Sequence, residues 1–443
     1  MDVDNSMKMA DASNKIIAPS HRVPSEVVAE IIRGLLPAKI DYDPQMQERL
    51  DALLTATGIC RYWRHAALDH ATLWSVVPMD HKSLGELFLQ RSRNAPLLVT
   101  YGMKTRNRCP AHQAMASLLP YMHRVESVHL RAPVVVVNEV FSAFNQSMRG
   151  AQLKEVSVQT CGKEEGGFDI NLLLKHASTL KVLRAGILGS HFPGHKLQEF
   201  SGLTHLEVLT DHDIRDVLSV LTSLPTLTST KVHVNAMRRH RDEYRIVLPA
   251  NLCHIHLQIS NNTIKRVLDA LRIPTGVHFV CEILPTGRLT INEPARHLTF
   301  PSGFFENTSH IEELQLNKIS CSGFGPSGSF AIEWASMGIF RPPIENLSLL
   351  RKLVVDGAVG RWLLGDIVGS APSLVSVVLI DCRVIAPQAV DSAFEVRHTP
   401  DTFVKAISKE HSAGTHPKNF VVNGTLEGES LEEFRSLLGN HRT

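Results

Sequence analysis

Histidine is the residue with most chemical potential in this chain, at 23 of 443 positions. Two groups gather it with other ligand types. Cys253-His254-Ile255-His256 lies in a stretch that reads as a strand. Alternation then sets His254 and His256 on one outward face and turns Ile255 inward. Asp211-His212-Asp213 follows a strand-like run ending at Val208. Such residues suit zinc, which needs three or four ligands converging within about 2.0–2.3 Å and partners that orient them. Each group supplies too few, so solvated polar residues on a binding face are the better account and no metal is expected. Gly323-x-Gly325-x-x-Gly328 matches the dinucleotide spacing by count. That chemistry needs a strand directly before, a helix directly after and an acidic residue about 20 positions on. The nearest credible strand ends at Leu316 and Pro326 sits inside the turn, so a flexible loop, and no cofactor, is expected. No Ser-His-Asp or Cys-His set can be assigned without arbitrary pairing, and no catalytic residue is expected.

The elements that would hold these residues repeat. An apolar triplet at positions one, four and six recurs as Val125-x-x-Val128-x-Leu130, Leu153-x-x-Val156-x-Val158 and Leu203-x-x-Leu206-x-Val208. It returns over 252–257, 277–283, 311–316, 350–355 and 374–379, with weaker copies at Leu180, Leu227 and near Ala295. Successive starts at Val125, Leu153, Leu180, Leu203, Leu227, Leu252 and Val277 lie 23 to 28 residues apart, the period of leucine-rich repeats. Short apolar helix-length stretches over 115–120, 172–176, 217–224 and 367–372 run into the triplets. A lone strand and helix cannot bury their apolar faces, so each unit must stack on its neighbours. The expected fold is α/β: an irregular solenoid with a parallel sheet on its concave face and helices on its convex face. The Gly-, Ser- and Pro-rich stretch 317–343 is expected to be a long loop breaking the array. Residues 399–412 read as a helix and 420–422 as a last strand. Ser430-Leu431-Glu432-Glu433 reads as a capping box opening a final helix.

Between the apolar positions, side chains point away from the core. That outward set includes Ser127, His129, Glu155, Ser157, His205, Glu207, His254, His256, Glu313 and Gln315. It is polar and mixed in charge, as suits reading a protein surface rather than a phosphate backbone. Target contacts are therefore expected from His129, Glu155, His205, Glu207, His254, His256 and Glu313.

The first hundred residues are built differently. Val23-Pro24-Ser25-Glu26-Val27-Val28-Ala29-Glu30-Ile31-Ile32 has helical spacing. Pro24 suits a first turn, where its missing N–H would be unpaired anyway, and Gly34 and Pro37 close the helix. A polar insert over 38–49 precedes a second periodic block, Leu50, Leu53, Leu54, Thr57, Cys60, Trp63 and Ala67. Two of the four tryptophans, Trp63 and Trp74, fall here. A Pro-x-Glu-led helix, then Cys60-Arg61-Tyr62-Trp63-Arg64, then Leu73-Trp74, resembles the F-box, in particular that of a very large fungal family. The phrase Phe88-Leu89-Gln90-Arg91-Ser92-Arg93-Asn94-Ala95-Pro96-Leu97 is also similar to it, where a short helix ends at Arg-Ser and a strand begins at Pro-Leu. The resemblance covers roughly residues 21–100, with Val23 where leucine is usual and the 38–49 insert longer than the pattern. It implies a non-enzymatic substrate receptor of a cullin–RING ubiquitin ligase, docking through a Skp-type adaptor to a cullin. Pro24, Val27, Val28, Ile31, Cys60, Trp63 and Trp74 would serve the adaptor, some of them instead filling the module's own core.

Composition fits this reading. Hydrophobic residues make up 43% and charged residues 20%, enough for a packed core. A formal net charge of +2 argues for neither a nucleic-acid nor a membrane partner. Residues 1–20 lack an apolar signal region, and aliphatic runs such as 134–137 are too short to span a bilayer. Seven cysteines without a Cys-x-x-Cys pair read as reduced thiols, so an intracellular chain, cytoplasmic or nuclear, is expected. The expected organisation is a disordered tail over 1–20, a helical module over 21–80 and a linking helix with the first strand unit over 81–124. The solenoid would fill 125–443. The alternatives are a non-ligase repeat scaffold whose N-terminal helices cap the array, and an enzyme using the Gly323 loop or a His-lined site.

Overall fold

The computed structural model describes residues 23–37, 43–102, 110–147, 152–161, 168–186, 194–210, 217, 220–234, 246–248, 251–260, 267, 271–274, 276–284, 298–299, 311–316, 320–326, 328–334, 340–341, 347–360, 371, 373–385 and 419–423. The tail over 1–20, the Asp211-His212-Asp213 group, the weak repeat near Ala295 and the C-terminal helices over 399–412 and from 430 lie outside them. So does 367–372 apart from Ala371. Backbone contacts divide the chain into two compact units, Met1–Ala185 and Gly186–Thr443. The fold is mixed α/β with a mostly parallel sheet.

The first unit opens with helices α1 (Ser25–Leu35), α2 (Asp43–Ile59) and α3 (Arg61–Asp69), then a 3₁₀ turn over Ala71–Trp74. Pro24 stands just before α1, and its carbonyl accepts from Val27 and Val28 N–H, both at 3.1 Å. From Asp43 onward the polar insert is helical, as the start of α2, and carries a buried Arg49. Arg49 donates to the Leu73 carbonyl at 3.3 Å. Val28, Ala29 and Ile32 of α1 pack inward with Leu50, Leu53, Ala56, Ala66, Ala67 and Leu73.

Strand β1 (Val76–Pro78), helix α4 (Lys82–Arg91) and β2 (Leu97–Tyr101) follow. Next come α5 (Ala111–Leu118), β3 (Val125–Ala132), α6 (Val134–Ser147), β4 (Glu155–Thr160) and β5 (Val182–Gly186). The order is β1-β2-β3-β4-β5, with β1 through β4 paired parallel. The ladder thus begins before Val125, within the helical module itself. Valine as a residue type favours strands, and 134–137 is a run of four. It forms the first turn of α6 because Val137, Val140, Phe141 and Phe144 share a buried face.

The second unit holds β6 (His205–Thr210), β7 (Ser229–Val234), β8 (Ile246–Val247), β9 (His254–Ser260), β10 (Leu271–Arg272) and β11 (His278–Leu284). Then come β12 (Leu298–Thr299), β13 (Glu313–Leu316), β14 (Ser320–Gly325), β15 (Gly328–Trp334), β16 (Phe340–Arg341), β17 (Lys352–Gly360), β18 (Ser376–Ile385) and β19 (Asn419–Asn423). The sheet order is β6-β7-β9-β11-β15-β14-β13-β17-β18-β19, while β8 with β10 and β12 with β16 form separate short pairs. The last strand expected over 420–422 is present as β19.

Three expectations are corrected. The stretch 317–343 is not one loop, because β14 and β15 form an antiparallel hairpin inserted between β11 and β13. Two of its glycines answer to close approach. A Cβ on Gly323 would lie 2.3 Å from the Phe330 ring, and Gly328 opens β15 at φ +148. The three glycines of the dinucleotide-like pattern therefore sit on two paired strands and their turn. At Val277 the one-four-six count slips by one residue. Phe279, Cys281 and Ile283 are buried, and Phe279 pairs with Ile255. Leu54 of the second block is exposed.

Small side chains just ahead of the triplets tie successive turns together. Thr179 donates to the Leu153 carbonyl (3.0 Å), Thr226 to Leu203 (2.9 Å) and Asn251 to Leu227 (2.8 Å). Each satisfies a carbonyl that the preceding turn leaves open.

Candidate functional site

Two surfaces carry the residues singled out by sequence. The first is α1. Its inner face is closed, with Val28 1% exposed, whereas Val27 (45%), Ile31 (44%) and Leu35 (60%) form an outward apolar stripe. Their spacing of four places them on consecutive turns of one face. Glu30 pairs with Arg33 beside the stripe, and Arg33 also donates to Thr72 at 2.8 Å. Pro24 is exposed at the helix start, and Cys60 and Trp63 are half-buried. Val28 and Trp74 are buried in the unit's own core, a place the sequence reading left open for part of this set. Trp74 donates through Nε1 to the Ala67 carbonyl (2.7 Å), meets Phe88 edge-on at 5.0 Å and lies under Arg91 at 4.4 Å. It thereby joins the three-helix module to α4. Burial, with Arg33 nearby, lowers the Arg49 guanidinium to about 10.

The second surface is the polar face of the sheet. His129, Glu155, Glu207, His256 and Glu313 are half-buried, and His205 and His254 exposed, so all seven point away from the core as alternation requires. The structure joins them into pairs across strands. In the first unit His129 Nε2 lies 3.4 Å from Glu155, which also receives Arg184. The His129 and Arg184 hydrogen bonds outweigh burial and hold the Glu155 carboxyl at about 2. In the second unit Lys231 faces Glu207 at 3.6 Å, His256 faces Glu282 at 2.8 Å, and Lys352 faces Glu313 at 3.0 Å. Gln315 also donates to Glu313 at 2.8 Å, and together they keep that carboxyl below its usual value.

Sequence reading missed Arg184, Lys231, His278, Glu282 and Lys352. Arg184 occupies position five of the Leu180 triplet, so the alternation that found His129 applies to it equally. His278 was hidden by the one-residue slip at Val277. The described cysteines Cys60, Cys161, Cys253, Cys281 and Cys321 are free thiols. Burial pushes Cys281 up to about 12 and Cys321 higher still, which makes both core residues rather than nucleophiles. Among the described residues no cluster of three or more His, Cys, Asp or Glu could hold a metal, and no helix is long and apolar enough to cross a membrane. One of the two surfaces is apolar and helical, the other polar and formed by strands.

No family model matches the chain, and no curated protein matches it in sequence.

Proposed function

We propose that this chain is the substrate-recognition subunit of a cullin–RING ubiquitin ligase of the SCF type. The helices α1 to α3 act as the F-box and dock on a Skp-type adaptor, which connects them to a cullin. The sheet and its helices form a leucine-rich-repeat-like solenoid whose concave polar face holds a target protein. The chain itself performs no catalysis and needs no cofactor. It raises the effective concentration of target near a conjugating enzyme. Nucleic acid and membrane are not its partners, and it works inside the cell.

The single observation that carries this reading is the outward apolar stripe of Val27, Ile31 and Leu35 on a helix whose other face is closed. It stands beside the Cys60-Arg61-Tyr62-Trp63-Arg64 and Leu73-Trp74 pattern shared with fungal F-boxes. Helices that merely capped a repeat scaffold would cover that stripe with their own chain.

Co-purification of the full chain with a Skp-type adaptor tests the reading. Replacing Val27 and Ile31 by Asp leaves the buried face intact but places charges in an apolar interface, at a cost of several kcal/mol. Expected is a folded double variant that no longer retains the adaptor. A wild-type chain that does not bind returns the N-terminal helices to a capping role. A folded double variant that binds like wild type shows that the stripe is not the docking face.

A further inference from the structure

The outward side chains of the second unit are sorted into rows by strand register. His205, Ser229, His254, His278 and Ser329 align across β6, β7, β9, β11 and β15. The next outward row is Glu207, Lys231, His256, Val280 and Ala331, and the third holds Leu209, His233, Gln258 and Glu282. The first row contains three imidazoles and two hydroxyls and no carboxylate. Its nearest acids are already engaged, Glu207 with Lys231 and Glu282 with His256.

Within the row, the exposed His254 ring meets the His278 ring edge-on, with centroids 5.7 Å apart. His278 Nδ1 is hydrogen-bonded to the Ser329 hydroxyl, and His205 Nδ1 to Thr204 Oγ1 at 2.9 Å. Burial, and then the neighbouring His254, keep His278 below the usual imidazole value. Two imidazoles this close repel once both are protonated, and an anion lying over them removes that repulsion. Strands about 4.8 Å apart place His205 about 10 Å from His254 and His278 about 5 Å further on. An extended peptide advances about 3.4 Å per residue and turns every second side chain to one face, so carboxylates at alternate positions stand about 6.8 Å apart, between the about 5 Å and about 10 Å spacings of the row. A nucleic-acid backbone suits this face less well, because phosphates are neutralised mainly by lysine and arginine and the row holds neither.

We propose that the row His205–His254–His278 binds an acidic, Asp- and Glu-rich segment of a partner protein and that binding takes up protons. Naming that partner the ubiquitination target rests on the function proposed above; the binding itself does not. The groups that face the row are His205 and Glu207 on β6, Lys231 and His233 on β7, and His254 and His256 on β9. His278 and Glu282 on β11 and the uncharged Ser329 on β15 complete the set. An anion raises the affinity of the imidazoles for protons. Binding therefore strengthens as pH falls below neutrality and weakens again only where peptide carboxylates protonate, near about pH 4.

Fluorescence anisotropy of the full chain with a labelled peptide of about 12 residues, alternating Glu and Ser, tests this at about pH 6 and about pH 7.5. A Gln–Ser peptide and a labelled oligothymidine are the comparison probes. Expected is binding at least about fivefold tighter at the lower pH, with the Gln–Ser peptide unbound. His254→Gln with His278→Gln, both at exposed positions, should reduce the pH dependence to the part His205 supplies without changing the melting temperature. Lys231→Gln should weaken binding by a similar factor at both pH values. Equal affinity at the two pH values, an unaffected double variant, or tighter binding of the oligothymidine would each overturn the proposal. The Val27→Asp, Ile31→Asp variant should lose the adaptor and keep the peptide, so failure of either reading shows separately.

Discussion

Leu206, Ile255 and Leu314 stand at the fourth triplet position and are at most 1% exposed, while their sequence neighbours His205, His254 and Glu313 face outward. Replacing any of the three inward residues by Ala removes buried surface and leaves a cavity, an expected cost of about 2–5 kcal/mol. Ala at the outward neighbours should change stability by no more than about 0.5 kcal/mol. Thr230 belongs in the same denaturation series. It fills the inward position between Leu206 and Ile255, and its buried hydroxyl has no partner among the described residues. Thr230→Val should stabilise by about 1 kcal/mol, because it removes an unpaid desolvation. Urea midpoints of the seven single variants decide the matter. An outward set more damaging than the inward one would mean that the register is wrong by one residue.

At the scale of elements, the inserted hairpin is the feature that most changes the sheet. β14 and β15 keep β11 and β13 from pairing directly, and they fit only because Gly323 leaves room for Phe330. Gly323→Ala should overpack this contact and cost about 1–3 kcal/mol. Adding Phe330→Leu to Gly323→Ala relieves the clash. The double variant should therefore be more stable than the sum of the single effects, a coupling read directly from a double-mutant cycle. Additive effects would show that the ring and the glycine do not meet. Helix α1 teaches the complementary lesson. Both faces of the helix are apolar, so pattern alone set Val27, Val28 and Ile31 together, and only packing separated Val28 from the other two.

For the molecule as a whole, 23 histidines make acid the informative perturbation. His176 is buried, and desolvation, aided by Lys175, holds it below the ordinary imidazole value. In the unfolded chain it binds a proton more readily. The stability tied to its neutral form is present above about pH 6.5 and is lost as pH falls from there through the lowered folded value. Glu155 adds a second, more acidic step. Held at about 2 against an ordinary 4.5, it contributes stability above the higher value that disappears as pH falls toward the lower one. Melting temperature against pH should decline in two stages. Glu155→Gln should shrink the lower stage, to which the lowered Glu313 also contributes, and leave the upper, and an unchanged profile in that variant would dissociate the lower stage from the His129–Glu155–Arg184 group.

The sequence by itself determined the parallel ladder. Apolar side chains at one, four and six, recurring every 23 to 28 residues, can be buried only if the strands stack in register. Because alternation is local, it also assigned the faces of Leu206 and His205, and of Ile255 and His254, before any contact was known. Tertiary structure decided what depends on residues far apart in the chain. It chose helix for 134–137, because a buried face with Phe141 and Phe144 outweighs the strand preference of valine. It made a hairpin of a Gly-rich stretch, because Phe330 needed the space that Gly323 gives up. It also set Arg184 against Glu155 and His278 beside His254, pairings fixed by strand order and register, which no local pattern encodes.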